Sequence, residues 1–249
     1  MKKTIISMVL AMAFGMPAFA QYWTTYGGYD PFSNGDKHIG LMVGTGGWFS
    51  NFEYNISNSS YSSKKVTDVE RALINPSISL HYKRVLSGNT VDWGSSFLLS
   101  YTMWGGEYNG LDTAAKTTFT TKYSYSEVTL SDLIYLMVPI GDDISINAGV
   151  GLTIGLGLAP KLSTESSDGS TEEALGQSDF GDMLIGRINA MVGVDYHLSD
   201  SFTVSANLIA WPLDIFSLLG ENRMRGIENG VSVSDKMPFQ LMVGFTYAL

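Results

Sequence analysis

Three histidines, His38, His81 and His197, are the side chains of this 249-residue chain best suited to moving protons near neutrality. Ser79 lies two residues before His81, and a Ser–His pair backed by a carboxylate is the machinery of acyl transfer. Six ionisable residues stand out from alternating, mostly uncharged sequence: His81, Lys83, Asp92, Glu127, Arg187 and Asp195. Buried together they would form ion pairs and hydrogen bonds. Lining an open polar conduit, they would instead meet ions and small solutes. The chain has no Cys, which excludes a disulfide framework and a thiolate metal site. The stretch 160–181 sets Lys161 against Glu165, Asp168, Glu172, Glu173 and Asp179, but the spacing matches no Ca²⁺ loop. No metal site and no cofactor are expected. Which chemistry is available then depends on the elements that hold these residues.

Those elements are strands. In the stretch ISINAGVGLTIGLGLAP, apolar Ile144, Ile146, Ala148, Val150, Leu152, Ile154, Leu156 and Leu158 alternate with Ser145, Asn147, Thr153 and glycines. Strict period-2 alternation is the signature of a strand with two unlike faces. Seven other segments follow it. Their apolar positions include Ile39, Leu41 and Val43; Ile78, Leu80 and Tyr82; Trp93, Phe97, Leu99, Tyr101 and Met103. They continue with Ile134, Leu136, Val138 and Ile140; Ile188, Ala190, Val192, Val194, Tyr196 and Leu198; Phe202, Val204, Ala206 and Leu208. The eighth is the C-terminal PFQLMVGFTYAL, where Phe239, Leu241, Val243, Phe245, Tyr247 and Leu249 share one parity to the final residue. His81, Lys83, Asp92, Glu127, Arg187 and Asp195 all fall on the opposite, polar parity. Asp132 shares the apolar parity, so either it lies near the outer interface or a bulge flips the register there.

The first residues, MKKTIISMVLAMAFGMPAFAQ, have a basic start, a short apolar run and an Ala18-Phe19-Ala20 cleavage site, the plan of a secretory signal peptide over residues 1–20. That segment holds two of the 15 Lys+Arg and none of the 24 Asp+Glu, so its removal takes the net charge from −9 to −11. An acidic chain without a basic cluster argues against nucleic acid as a partner. No later stretch has the roughly 18 consecutive apolar residues of a transmembrane helix.

Three features point the apolar face outward, into lipid. Along Ile144–Leu158 the polar parity is small and carries no charge, and charged residues make up 16% of the chain, against about 25% in a typical soluble domain. Connections alternate between short ones near SGN, GDD and SDS and long ones at 50–72, 105–118, 160–181 and 212–236, the layout of an outer-membrane barrel. Aromatics of the apolar parity, Tyr82, Trp93, Tyr196, Phe202 and Tyr247, cluster near the short turns as a periplasmic girdle. The expected fold is all-β, an eight-stranded antiparallel up-and-down transmembrane barrel over 38–249, preceded by an aromatic-rich segment at 21–37. That segment is either a plug or a periplasmic leader.

The tail resembles the C-terminal assembly signal of outer-membrane barrel proteins, carried here by Phe245, Tyr247 and Leu249, with Leu where that family ends in Phe. The whole of 21–249 resembles the eight-stranded family of the OmpA transmembrane domain, OmpX and OmpW. The stretch YLMVPI at 135–140 is similar to a strand motif in barrel proteins of the Bacteroidota. The resemblance implies residence in a bacterial outer membrane, contact with its lipid and lipopolysaccharide, and assembly by the outer-membrane insertion machinery. With the tail strand as the last element, no peptidoglycan-binding domain of the kind that follows the OmpA barrel is expected. Enzymes on this scaffold need a Ser–His pair near the outer leaflet, whereas His38, His81 and His197 fall toward the short-turn end. The expectation is therefore a non-enzymatic structural or surface-interaction protein with a closed or nearly closed lumen, meeting an unknown partner through its long loops. A narrow passive channel is the alternative, for which inward Gly40, Gly44, Gly149, Gly151, Gly155 and Gly157 would leave room. An outer-leaflet lipid-modifying enzyme is the remote third.

Overall fold

The computed structural model describes residues 36–48, 53–56, 64–71, 75–86, 92–112, 117–167, 169, 171–175, 184–215, 231–234 and 238–249. The signal peptide and the stretch 21–35 lie outside the described residues. The alternating segments become strands because each can place its branched and aromatic side chains on one pleated face. In chain order these are β1 (Asp36–Trp48), β2 (Glu53–Ile56), β3 (Lys64–Arg71), β4 (Asn75–Leu86), β5 (Asp92–Asp112) and β6 (Thr117–Ile140). They continue as β7 (Ile144–Ser166), β8 (Thr171–Leu175), β9 (Leu184–Ser199), β10 (Phe202–Asp214), β11 (Val231–Ser234) and β12 (Pro238–Ala248).

Eight of them close on themselves, all antiparallel, in the cyclic order β1, β4, β5, β6, β7, β9, β10, β12. Closure is made between the first and last strands, where Ile39 pairs with Tyr247 and Val43 with Val243. The amide of Leu249 also donates to the Lys37 carbonyl at 2.8 Å. In lipid this closure is obligatory, since an open edge would strand backbone groups away from water. Within the barrel Ile39, Leu41, Val43, Ile78, Leu80, Leu99, Ile134, Leu136, Val150, Val192, Val243 and Phe245 are exposed on the outside. Serines, threonines and asparagines of the other parity are buried inside.

The structure departs from the sequence expectation at the long-loop end. The connection expected over 105–118 is mostly strand, because β5 runs to Asp112 and β6 resumes at Thr117. A strand needs about 9–11 residues to cross a bilayer, and β6 has 24. The upper parts of β5, β6 and β7 therefore stand clear of any membrane. β3 pairs with upper β5 and β8 with upper β7, so this wall is a five-stranded sheet. A separate β2–β11 ribbon lies between the first and last long connections.

The alternative of a bulge around Asp132 is excluded. β6 pairs with β5 without interruption from Thr117 to Met137, and with β7 from Ile140 to Ser126. A bulge does occur in β10, between Ala210 and Leu213. Pro212 sits there, and a residue with no N–H cannot complete the ladder. The shift leaves Trp211 pointing inward and buried, while Leu213 returns to the outside.

Candidate functional site

The lumen is where the chain concentrates its buried polar groups. Of the six polar residues expected there, five are buried: His81, Lys83, Glu127, Arg187 and Asp195. Asp92 opens β5 at the short-turn end and is only half-buried. The five do not form one network. Four of them are held as two separate ion pairs at different heights, and His81 stands beside the lower one.

The lower pair is Lys83 with Asp195, joined directly by Nζ and Oδ2. Ser205 Oγ donates to the other carboxylate oxygen at 2.6 Å, and Lys83 Nζ lies 5.3 Å from the centre of the Tyr135 ring. His81 stands beside this pair, its Nε2 2.7 Å from Ser96 Oγ. Ser79, two residues away, instead donates to Ser100 at 2.6 Å. Successive same-face residues on a strand look into the lumen at different heights, so Ser79 and His81 meet different partners across β5. Ser79 and His81 therefore do not pair, and the serine that meets His81 is Ser96. His197 sits lower still, with Nε2 3.2 Å from Ser145 Oγ and Nδ1 3.1 Å from Thr203 Oγ1. A cavity of about 10 Å³ lined by His81, Lys83, Asn147, Asp195 and Asn207, among others, remains at this level. That is room for roughly one water molecule.

The upper pair is Arg187 with Glu127. Nη1 and Nη2 donate to the two carboxylate oxygens at 3.1 and 2.8 Å, the fork-to-fork geometry that makes such pairs strong. Both side chains are 2% exposed, so the pair is fully withdrawn from solvent. The guanidinium also lies 5.5 Å from the centre of the Trp211 ring. Trp211 Nε1 and Asn189 Nδ2 each donate to Thr153 Oγ1 at 2.8 Å, and Ser131 is 2.8 Å from the same oxygen. Replacing Trp211 by Phe removes one of these donors and is expected to cost about 1 kcal/mol, measurable as a lower urea midpoint for unfolding in detergent.

Between and above the pairs the lumen is packed with large side chains. Met42, Leu98, Leu133, Met191, Ile209 and Met242 are buried inward, and Trp104 stacks on Tyr125 nearer the long-loop end at 6.3 Å and 18°. Sequence reasoning missed this filling, having read the inner parity as small and polar. The available signal was the set of apolar doublets, such as Leu98–Leu99 and Leu133–Ile134, that break strict alternation.

The inward glycines do not open a conduit either. A methyl on Gly40 would overlap the Phe245 carbonyl, and one on Gly151 the Asp132 carbonyl. Glycine is used there because the neighbouring backbone occupies the space. Among the described residues, no group of three His, Asp or Glu is placed to hold a metal.

The aromatics expected as a girdle all lie at or near the short-turn end. Tyr196 and Tyr247 are exposed, while Tyr82, Trp93 and Phe202 are half-buried on the same outer parity. Tyr82 contacts Phe97 at 6.3 Å, and Phe202 stacks on Phe245 at 5.6 Å. Phe245, Tyr247 and Leu249 are exposed along the last strand.

A closed eight-stranded barrel with an apolar exterior and a polar, filled interior defines the outer-membrane class of β-barrel. No protein-family model and no curated protein matches the chain. Among solved structures, the outer membrane protein OprG of Pseudomonas aeruginosa is similar at 13% identity, with 86% of this chain and 96% of that chain covered and a TM-score of 0.51. Ail, the attachment invasion locus protein of Yersinia pestis, is similar at 12% identity over 86% of this chain and 99% of that one, with a TM-score of 0.42. Neisserial surface protein A is similar at 11% identity over 86% and 97%, with a TM-score of 0.34. The likeness to OprG is one of fold.

Proposed function

We propose that the chain is a non-enzymatic integral protein of a bacterial outer membrane, closed along its lumen and acting through its long-loop end. The observation that carries this reading is the packed interior. Two buried ion pairs, each held by further contacts, lie at separate heights with methionine, leucine and tryptophan side chains filling the space around and above them. An ion crossing this path would have to part both ion pairs and displace the large side chains packed around them. The non-enzymatic part is supported by the histidines, since His81 and His197 bond lumen hydroxyls toward the short-turn end. The five-stranded sheet of β3, β5, β6, β7 and β8 offers a partner the extended surface that the sealed lumen does not. Insertion would follow export and recognition of the Phe245, Tyr247 and Leu249 tail, with lipid and lipopolysaccharide around the outer face.

Single-channel recording tests the proposal. The protein refolded in detergent, shown to be folded by its faster migration on gels without boiling, should be electrically silent in a planar bilayer. Steady openings would overturn the closed-lumen reading and favour a narrow channel with Lys83 and Arg187 as its selectivity groups.

A further inference from the structure

We infer that Asp132 is the centre of a lipid-facing contact between two copies of this chain. Reading up β6 from the short turn, the outward positions are Ile140, Val138, Leu136, Ile134, Asp132, Leu130 and Val128. All except Asp132 are exposed apolar residues. The unbroken pairing of Asp132 with Phe97 on one side and Leu152 on the other fixes its carboxyl on that face. With the bulge excluded, it lies in the outer part of the apolar band, with two apolar outward positions beyond it and four below. An ionisable group set in hydrocarbon costs free energy and marks a functional position by default. Among the described residues Asp132 has no hydrogen-bonding or ion-pairing partner.

The choice of a second copy rests on depth and on chemistry. Among the described residues the outer-face cations lie away from this level. Lys37 and Arg84 are near the short-turn ends of β1 and β4, Lys122 is ten residues further up β6, and Lys161 pairs with Ser124 toward the top of the same wall. A head-to-tail copy would have to slide through the membrane to bring one of them to Asp132. A two-fold axis along the membrane normal needs no such shift, because it places like residues opposite each other at equal depth. A carboxyl group can complement itself there, since two that share protons supply each other's donors and acceptors. Phe97, Leu130, Ile134 and Leu152 would form the apolar surround of that contact.

Because the chain has no Cys, a single introduced thiol reports the contact. Leu130→Cys places it beside Asp132, and Val243→Cys places a control on β12, the opposite wall. The full-length folded variants would be reconstituted in phospholipid vesicles and treated with a short bis-maleimide. Leu130→Cys should cross-link to a dimer and Val243→Cys should not. Adding Asp132→Leu to Leu130→Cys should lower the dimer yield about tenfold, as loss of paired polar contacts in lipid predicts, while Asp132→Asn, also self-complementary, should retain it. Monomer throughout, equal yields at both thiols, or no effect of Asp132→Leu would each overturn the proposal. Capture of a different membrane protein in cells without homodimer would do the same.

Discussion

Arg187→Ala is expected to destabilise the barrel by about 3–5 kcal/mol, the range for removing one partner of a buried ion pair. The cost comes less from the lost attraction than from Glu127, which is buried beside Arg187 and would lose its two guanidinium hydrogen bonds. Ala also vacates the space beside Trp211, so the ring loses its cationic neighbour. Urea unfolding in detergent, followed by tryptophan fluorescence and gel migration, would measure the loss. The double variant Arg187→Met, Glu127→Met separates the two origins. If desolvated charge is the cause, the double variant should recover most of the stability, because an apolar pair of similar volume leaves nothing unpaired. An Arg187→Ala variant as stable as the parent would show that water reaches Glu127, and with it the upper lumen.

These two ion pairs show what the sequence could not reveal. Parity placed Glu127, Arg187, Lys83 and Asp195 on the inner face, because the side-chain period of a strand is two whatever it pairs with. Parity cannot tell which strands face each other or how far each is staggered. Lys83 and Asp195 lie 112 positions apart in the chain, and they meet across the lumen because β4 and β9 are set at matching heights by the strands between them. The barrel wall was legible for the opposite reason. Lipid imposes one rule on every outward position of every strand, and Ile144–Leu158 obeys it without exception. That rule lapses outside the membrane. Upper β5, with GGEYNGLD at 105–112, has no apolar stripe, so it reads as loop although its backbone pairs fully with β6.

The glycines of the inner parity carry the second large expectation. Gly151→Ala should destabilise the barrel strongly, and Gly151→Leu, which adds a whole side chain to the same clash, should prevent stable folding. At this position an added Cβ would sit within overlap distance of the Asp132 carbonyl oxygen, with the Asp132 carbonyl carbon and Leu133 Cα each at 2.8 Å. These are backbone atoms of the neighbouring strand, so no rotamer change can relieve the contact. β6 and β7 would have to part, breaking the Leu133–Gly151 pair and its neighbours, and overpacking of that kind costs about 1–3 kcal/mol or more. Gly141 is the control. It lies in the turn between the same two strands at φ 77° with nothing near its missing Cβ. Gly141→Ala therefore meets only the backbone penalty of a left-handed residue, about 1–2 kcal/mol, and should still fold. Gel migration without boiling distinguishes the two variants directly. A folded Gly151→Leu would mean that the lumen has the room its glycines suggest on paper, and the closed-lumen reading would fall with it.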